Sequence, residues 1–119
     1  MKTTTRTVGD VTVVDISGRI VLGSESASLR SLVTELLSHG HNKILLNLAE
    51  VNYIDSTGLG HLVSAFTTVR KHEGELKLLK LTNKVQDLMQ ITRLYTVFDI
   101  RDDETEALKS FALSAVATT

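Results

Sequence analysis

The sequence predicts an α/β fold: a single compact domain over residues 1–119, with a mixed sheet of about five strands and about four helices. Three observations predict it. Two β-rich runs, residues 3–8 and 11–16, flank Gly9-Asp10, the pattern of a hairpin and so of antiparallel pairing. From residue 24 onward, helical apolar spacing alternates with short apolar runs, which implies parallel strands joined by crossovers. The chain has 119 residues, 42% hydrophobic and 23% charged, which suits one globular unit. A chain of this size buries roughly two-thirds of its unfolded surface, so it needs neither staple nor metal to fold.

Each element follows from local pattern. Gly18 is expected to end the second strand of the hairpin. Ser24 stands where it can cap a first helix, whose apolar face is Leu29, Leu32, Val33, Leu36 and Leu37. Gly40 occupies the place of a helix C-terminal glycine. Residues 43–48 read as a covered strand, and a second helix begins near Ser56, with Leu59, Leu62, Val63 and Phe66 at helical spacing. That helix runs to about His72 and Gly74 closes it. Residues 76–81 form the next strand, and Asn83 caps a third helix carrying Val85, Leu88 and Met89. Residues 97–100 form a short strand, with Leu94, Tyr95, Val97 and Phe98 anchoring the third helix to the sheet. Asp102, Asp103 and Glu104 favour a helix start, leading to Leu108, Phe111, Ala112 and Ala115, and residues 115–119 fray.

Composition excludes several classes. A net charge of −1 argues against a dedicated nucleic-acid binder. No apolar run approaches the roughly 20 residues of a membrane span, and residues 1–6 lack the apolar core of a signal peptide. Without cysteine there is no disulfide, thiolate metal site or catalytic thiol, and a cytoplasmic location is expected. His61 and His72 stand eleven residues apart on one helix, roughly 16 Å, too far to share a metal. His39 and His41 flank a glycine, and all four histidines are expected in solvent. Lys77 and its basic neighbours Arg70, Lys71, Lys80 and Lys84 alternate with Glu73 and Glu75, so a solvated face is expected there.

The segment Ile54-Asp55-Ser56-Thr57-Gly58-Leu59-Gly60 carries the most information about function. It places a short hydroxyl where a strand hands over to a helix, and a helix start offers unpaired N–H groups and partial positive charge. Taken plainly, Asp55, Ser56 and Thr57 only cap that helix. The two glycines are odd, because each costs about 1 kcal/mol against alanine inside a helix. They serve either close approach by another molecule or tight packing of this turn on the sheet. Gly58-Leu59-Gly60 is a poor dinucleotide loop, since Val63 occupies the third glycine position and no P-loop lysine follows. Ser56 has no identifiable base, so no nucleophilic catalysis is expected.

At these residues the chain resembles the STAS family of anti-sigma factor antagonists, which carry a matching strand, an aspartate, a serine, a serine or threonine, and Gly-Leu-Gly. The resemblance extends roughly from Val11 to Phe111 and is densest from Asn47 to Leu62. It implies that Ser56 is the phosphoacceptor, with Thr57 the lesser candidate, and that the chain is a regulator rather than an enzyme and needs no cofactor. The implied partner is an anti-sigma factor of the histidine-kinase-like serine kinase type. Unmodified antagonist binds it and frees the sigma factor, phosphorylated antagonist does not, and a serine phosphatase resets the cycle. The implied contact surface holds Asp55, Ser56, Thr57, Gly58, Gly60 and the exposed His61, together with the turn at Gly23 and Ser24. No nucleic acid or membrane partner is expected, and a weak homodimer could form through the Leu94–Phe98 region. Other relatives are subunits of large sensory assemblies or accessory domains of transport systems. The chain departs from many relatives at Gly18-Arg19-Ile20-Val21, where they carry Gly-x-Leu-Asp.

Overall fold

The hairpin forms as its pattern requires: β1 (Lys2–Val8) and β2 (Val11–Ile20) pair antiparallel about a turn in which Gly9 has φ +62°. The computed structural model describes residues 1–21 and 24–117, with the side chains of residues 24–28 and 112–117 outside that description. After the hairpin come α1 (Ser24–Ser38), β3 (Lys43–Ile54), α2 (Ser56–Lys71), β4 (Glu75–Leu79), α3 (Asn83–Thr92), a 3-10 turn (Leu94–Thr96), β5 (Asp99–Arg101) and α4 (Glu104–Ala117). The sheet order is β1-β2-β3-β4-β5, and every pair after the hairpin is parallel. The five-stranded mixed sheet and four helices match the sequence expectation.

Period-two alternation along the strands sorts the core into two layers. Ile44, Leu46 and Leu48 of β3 face one side, against Leu29 and Val33 of α1, Leu62 and Val69 of α2, and Val85 and Met89 of α3. Leu45 faces the other side with Val11, Val13 and Leu79, where Ala107 and Phe111 of α4 cover them. Fully burying each such leucine, valine or phenylalanine contributes about 1.5–3 kcal/mol, so both layers stabilise the sheet substantially.

Several boundaries differ from expectation for physical reasons. Gly18 does not end β2. With φ +96° it absorbs one of two register shifts, and the strand continues to pair Arg19 with Tyr53 and Ile20 with Ile54. Strand β3 therefore runs to Ile54 although Asn47, Glu50 and Asn52 interrupt its apolar pattern. Thr82, not Asn83, is the N-cap of α3, and its hydroxyl donates to the Val51 carbonyl at 2.8 Å instead of capping, which ties α3 to β3. The left-handed residue after α2 is Glu73 (φ 58°), whereas Gly74 is required because a Cβ would stand 2.5 Å from the Asn42 carbonyl oxygen. Strand β5 lies two residues later than expected at its start, and the 3-10 turn fills the gap. Phe98 is buried edge-on to Phe66 at 5.3 Å between ring centroids, but Tyr95 and Val97 are exposed, so only part of that segment anchors the fold. Lys77 is not on a solvated face. It is buried beneath α4, where its Nζ donates to Ser110 Oγ at 2.8 Å, lies 3.3 Å from Asp99 and sits over the Phe111 ring.

The start of α4 is fastened by charge. Arg6 donates through Nε to Asp15 at 2.8 Å and through both terminal nitrogens to Glu104, while Asn47 donates to Asp15 at 2.8 Å. The Arg6 guanidinium holds the Asp15 and Glu104 carboxyls below the usual carboxylate range. A carboxylate depressed in the folded state adds stability above its unfolded pKa, about 4, and that stability is lost as pH falls through the depressed value. The groups are about one-third exposed, so screening keeps the effect modest. The urea midpoint is expected to fall between pH 7 and pH 3, and Arg6→Met is expected to reduce that fall. Identical pH profiles for the two proteins would contradict this fastening.

Candidate functional site

The C-terminal ends of β2 and β3 lie side by side at Ile20 and Ile54, and α2 begins two residues later, at Ser56. Asp55 makes the turn. It is the N-cap of α2, with extended backbone (φ −99°, ψ 178°), and its Oδ1 accepts from the Gly58 N–H at 2.7 Å. This is standard capping of the third helical N–H. The Asp55 N–H in turn donates to the Ile20 carbonyl at 3.3 Å, and the Asp55 carbonyl accepts the first helical bond from Leu59 at 2.9 Å. Ile54 and Leu59 are both buried and anchor the two sides of the turn.

Gly58 is fixed by the same carbonyl. A Cβ there would stand 1.9 Å from the Ile20 oxygen and 2.6 Å from its carbon, both backbone atoms that cannot yield without moving β2. Gly58 is buried, so its part in the site is to let α2 lie against the sheet end. Gly60 differs: it is exposed, and among the described residues a Cβ there would meet nothing within 4 Å. The two glycines that look alike in sequence thus divide into one demanded by packing and one that is not.

Ser56 is the first helical residue rather than the cap, and it is exposed, as is Thr57. Among the described residues no hydrogen bond to the Ser56 hydroxyl is found. The first turn of α2 holds no acidic side chain, and Arg70 and Lys71 lie in the last turn. Negative charge added at Ser56 would meet the positive end of the helix beside the Asp55 carboxylate that caps it. Thr57 lies about 100° further round the helix, so the two hydroxyls point apart.

Asp55, Ser56, Thr57, Gly58, Gly60 and His61 come together on the cap and first two turns of α2, although His61 is half-buried rather than exposed. Gly23 lies outside the described residues; Ser24 begins α1, and its side chain lies outside them too. Sequence reasoning missed Ile20, because a backbone contact between strand end and helix start leaves no compositional signal. It also missed the Arg19 guanidinium stacked over the Tyr53 ring at 4.9 Å. Those two residues line a shallow cavity of about 290 Å³ with Asn52 and Lys84, at the strand ends where the chain departs from the Gly-x-Leu-Asp pattern. Among the described residues, no three histidine or acidic side chains converge on a metal position, and no helix is long and apolar enough to cross a membrane.

The contact at Ile20 reverses the usual sign of a glycine-to-alanine change in a helix. Gly58→Ala is expected to destabilise the protein by about 2 kcal/mol or more through overpacking against backbone, and Asp55→Ala by about 1 kcal/mol through loss of the cap. Urea unfolding measures both. A Gly58→Ala protein as stable as the parent would rule out the contact.

Comparison with known proteins agrees with this geometry. The family model of the STAS domain matches residues 2–107. An anti-sigma-B factor antagonist of Bacillus subtilis is 38% identical over 87 residues, 73% of this chain and 78% of that protein. One of Listeria monocytogenes is 41% identical over 61 residues, 51% of this chain and 54% of that protein, so the match spans about half the length of that relative. Among solved structures, that of TM1081 from Thermotoga maritima superposes with a TM-score of 0.83 and 27% identity, covering 91% of this chain and 92% of the other. With residues 2–107 matched and the fold shared, the chain belongs to the STAS domain family.

Proposed function

We propose that the chain is an anti-sigma factor antagonist whose binding is switched off by phosphorylation of Ser56. The observation that carries this reading is the exposed Ser56 hydroxyl at the positive end of a helix whose first turn is locked to the sheet. The names of the Bacillus subtilis and Listeria relatives support it. The partner in this reading is a histidine-kinase-like serine kinase that holds a sigma factor until the unmodified antagonist displaces it. A serine phosphatase restores the unmodified state, and the exchange takes place in the cytoplasm.

The physical logic is a difference between two environments. A phosphate adds a charge of about −1.5 to −2. At the start of α2 that charge is favourable by some tenths of a kcal/mol to about 1 kcal/mol, so the fold accepts it. Pressed into a desolvated contact without a cation, the same charge is repelled or left unpaired. A loss of about 2.7–4 kcal/mol there lowers affinity roughly 100- to 1,000-fold, enough to exchange partners.

Incubation with the partner kinase and ATP, followed by mass spectrometry, is expected to place one phosphate on Ser56. Ser56→Ala is expected to keep the partner in a pull-down, and Ser56→Asp to weaken binding without unfolding. Phosphate found elsewhere with Ser56 unmodified would refute the reading.

A further inference from the structure

Arg6, Lys43, Lys77 and Arg101 each lie within ion-pair distance of an acid: Asp15 and Glu104, Asp10, and Asp99 for the last two. Arg19 and Lys84 are placed differently. They line one cavity of about 290 Å³ together with Asn52 and Tyr53, and its lining contains no acidic residue. The Arg19 guanidinium lies over the Tyr53 ring at 4.9 Å, and the two residues are register partners on β2 and β3. A guanidinium laid on a ring face keeps its fork of N–H donors at the edge.

The cavity forms where β3 outruns its neighbour. Strand β4 pairs with β3 only as far as Asn47, whereas β3 continues beside β2 to Ile54. The start of α3 closes part of that gap. The Thr82 hydroxyl donates to the Val51 carbonyl at 2.8 Å, and the next turn carries Lys84 to the cavity that Asn52 also lines. Because Thr82 is spent in this way, no side-chain bond caps α3, and its first turn holds no acid. The helix start therefore adds partial positive charge to two full charges. Both cations stand on regular elements tied to β3, so neither can withdraw far from the other's field.

We infer that this cavity binds the phosphate group of a small phosphorylated molecule. The three terminal oxygens of a phosphate monoester can engage donors arriving from β2, β3 and α3 together, where a carboxylate offers two. The Arg19 fork, the Lys84 ammonium, the Asn52 amide and the Tyr53 hydroxyl are those donors. The place is also one where open α/β sheets hold ligands, outside the carboxyl ends of parallel strands. Ser56 does not line the cavity, and the inference is independent of the function proposed above.

Titration of isotope-labelled protein, followed by NMR at constant ionic strength, tests the assignment. The probes are inorganic phosphate, glycerol 3-phosphate and AMP, with acetate as the comparison. Saturable shifts of the Asn52, Tyr53 and Lys84 amides are expected, with a Kd of about 1 mM or below for at least one phosphate. Acetate is expected to bind about tenfold more weakly or worse. Equal affinity for the three phosphates assigns the free ion, and tighter binding of one ester assigns its class. Arg19→Gln and Lys84→Gln are each expected to weaken binding about tenfold, while Lys71→Gln, at the end of α2, leaves it unchanged. Lys84 is exposed, so its replacement keeps the test open should Arg19→Gln loosen the strand ends. Shifts that never saturate, acetate binding as tight as phosphate, or affinity unchanged in the Lys84→Gln protein would each overturn the inference. The switch at Ser56 stands or falls separately.

Discussion

The carbonyl of Ile20 is the point at which the sheet dictates the position of the functional helix. It accepts from the Asp55 N–H and leaves no room for a side chain at Gly58. Asp55 then caps Gly58 from the other side, so strand end, cap and first helical turn form one closed set of contacts. Everything exposed at the site follows from that closure. With Ile54 and Leu59 committed to the interior, Ser56 and Thr57 have only solvent to face. Backbone contacts on both sides hold the main chain of this turn in place.

Ion pairs brace several other elements of the fold. Four acidic side chains are held below the usual carboxylate range away from this turn: Asp15 and Glu104 by Arg6, Asp99 by Arg101, and Asp10 by Lys43. Those pairs brace β1, β5 and α4, while α2 begins with no acid in its first turn. The charged side chain at the start of α2 is the Asp55 cap itself.

Much of this is legible in the sequence, and what is not has identifiable causes. The hairpin shows because Gly9-Asp10 lies between β-rich runs, and α1 and α2 show because Leu29, Val33, Leu59 and Leu62 keep helical spacing. The extension of β3 to Ile54 does not show, because pairing with β2 sustains it where Asn47, Glu50 and Asn52 break the apolar pattern. The cap of α3 is misread at Asn83 because Thr82 spends its hydroxyl on Val51, a contact between distant residues. At the site, Asp55, Ser56 and the helix start are readable from type and order. The division between Gly58 and Gly60 is not, because it depends on where the Ile20 carbonyl lies in space. Lys77 reads as a surface cation because Ser110 and Asp99, its partners, come from later elements.

The central claim is that one modification is acceptable to the fold and unacceptable to the contact. Comparing homogeneous Ser56-phosphorylated protein with unmodified protein tests it directly, by thermal unfolding and by affinity for the partner kinase measured side by side. The account predicts a melting temperature unchanged or slightly raised, together with a loss of affinity of about 100-fold or more. A phosphorylated protein that melts several degrees lower, or that binds as tightly as the unmodified one, would contradict it.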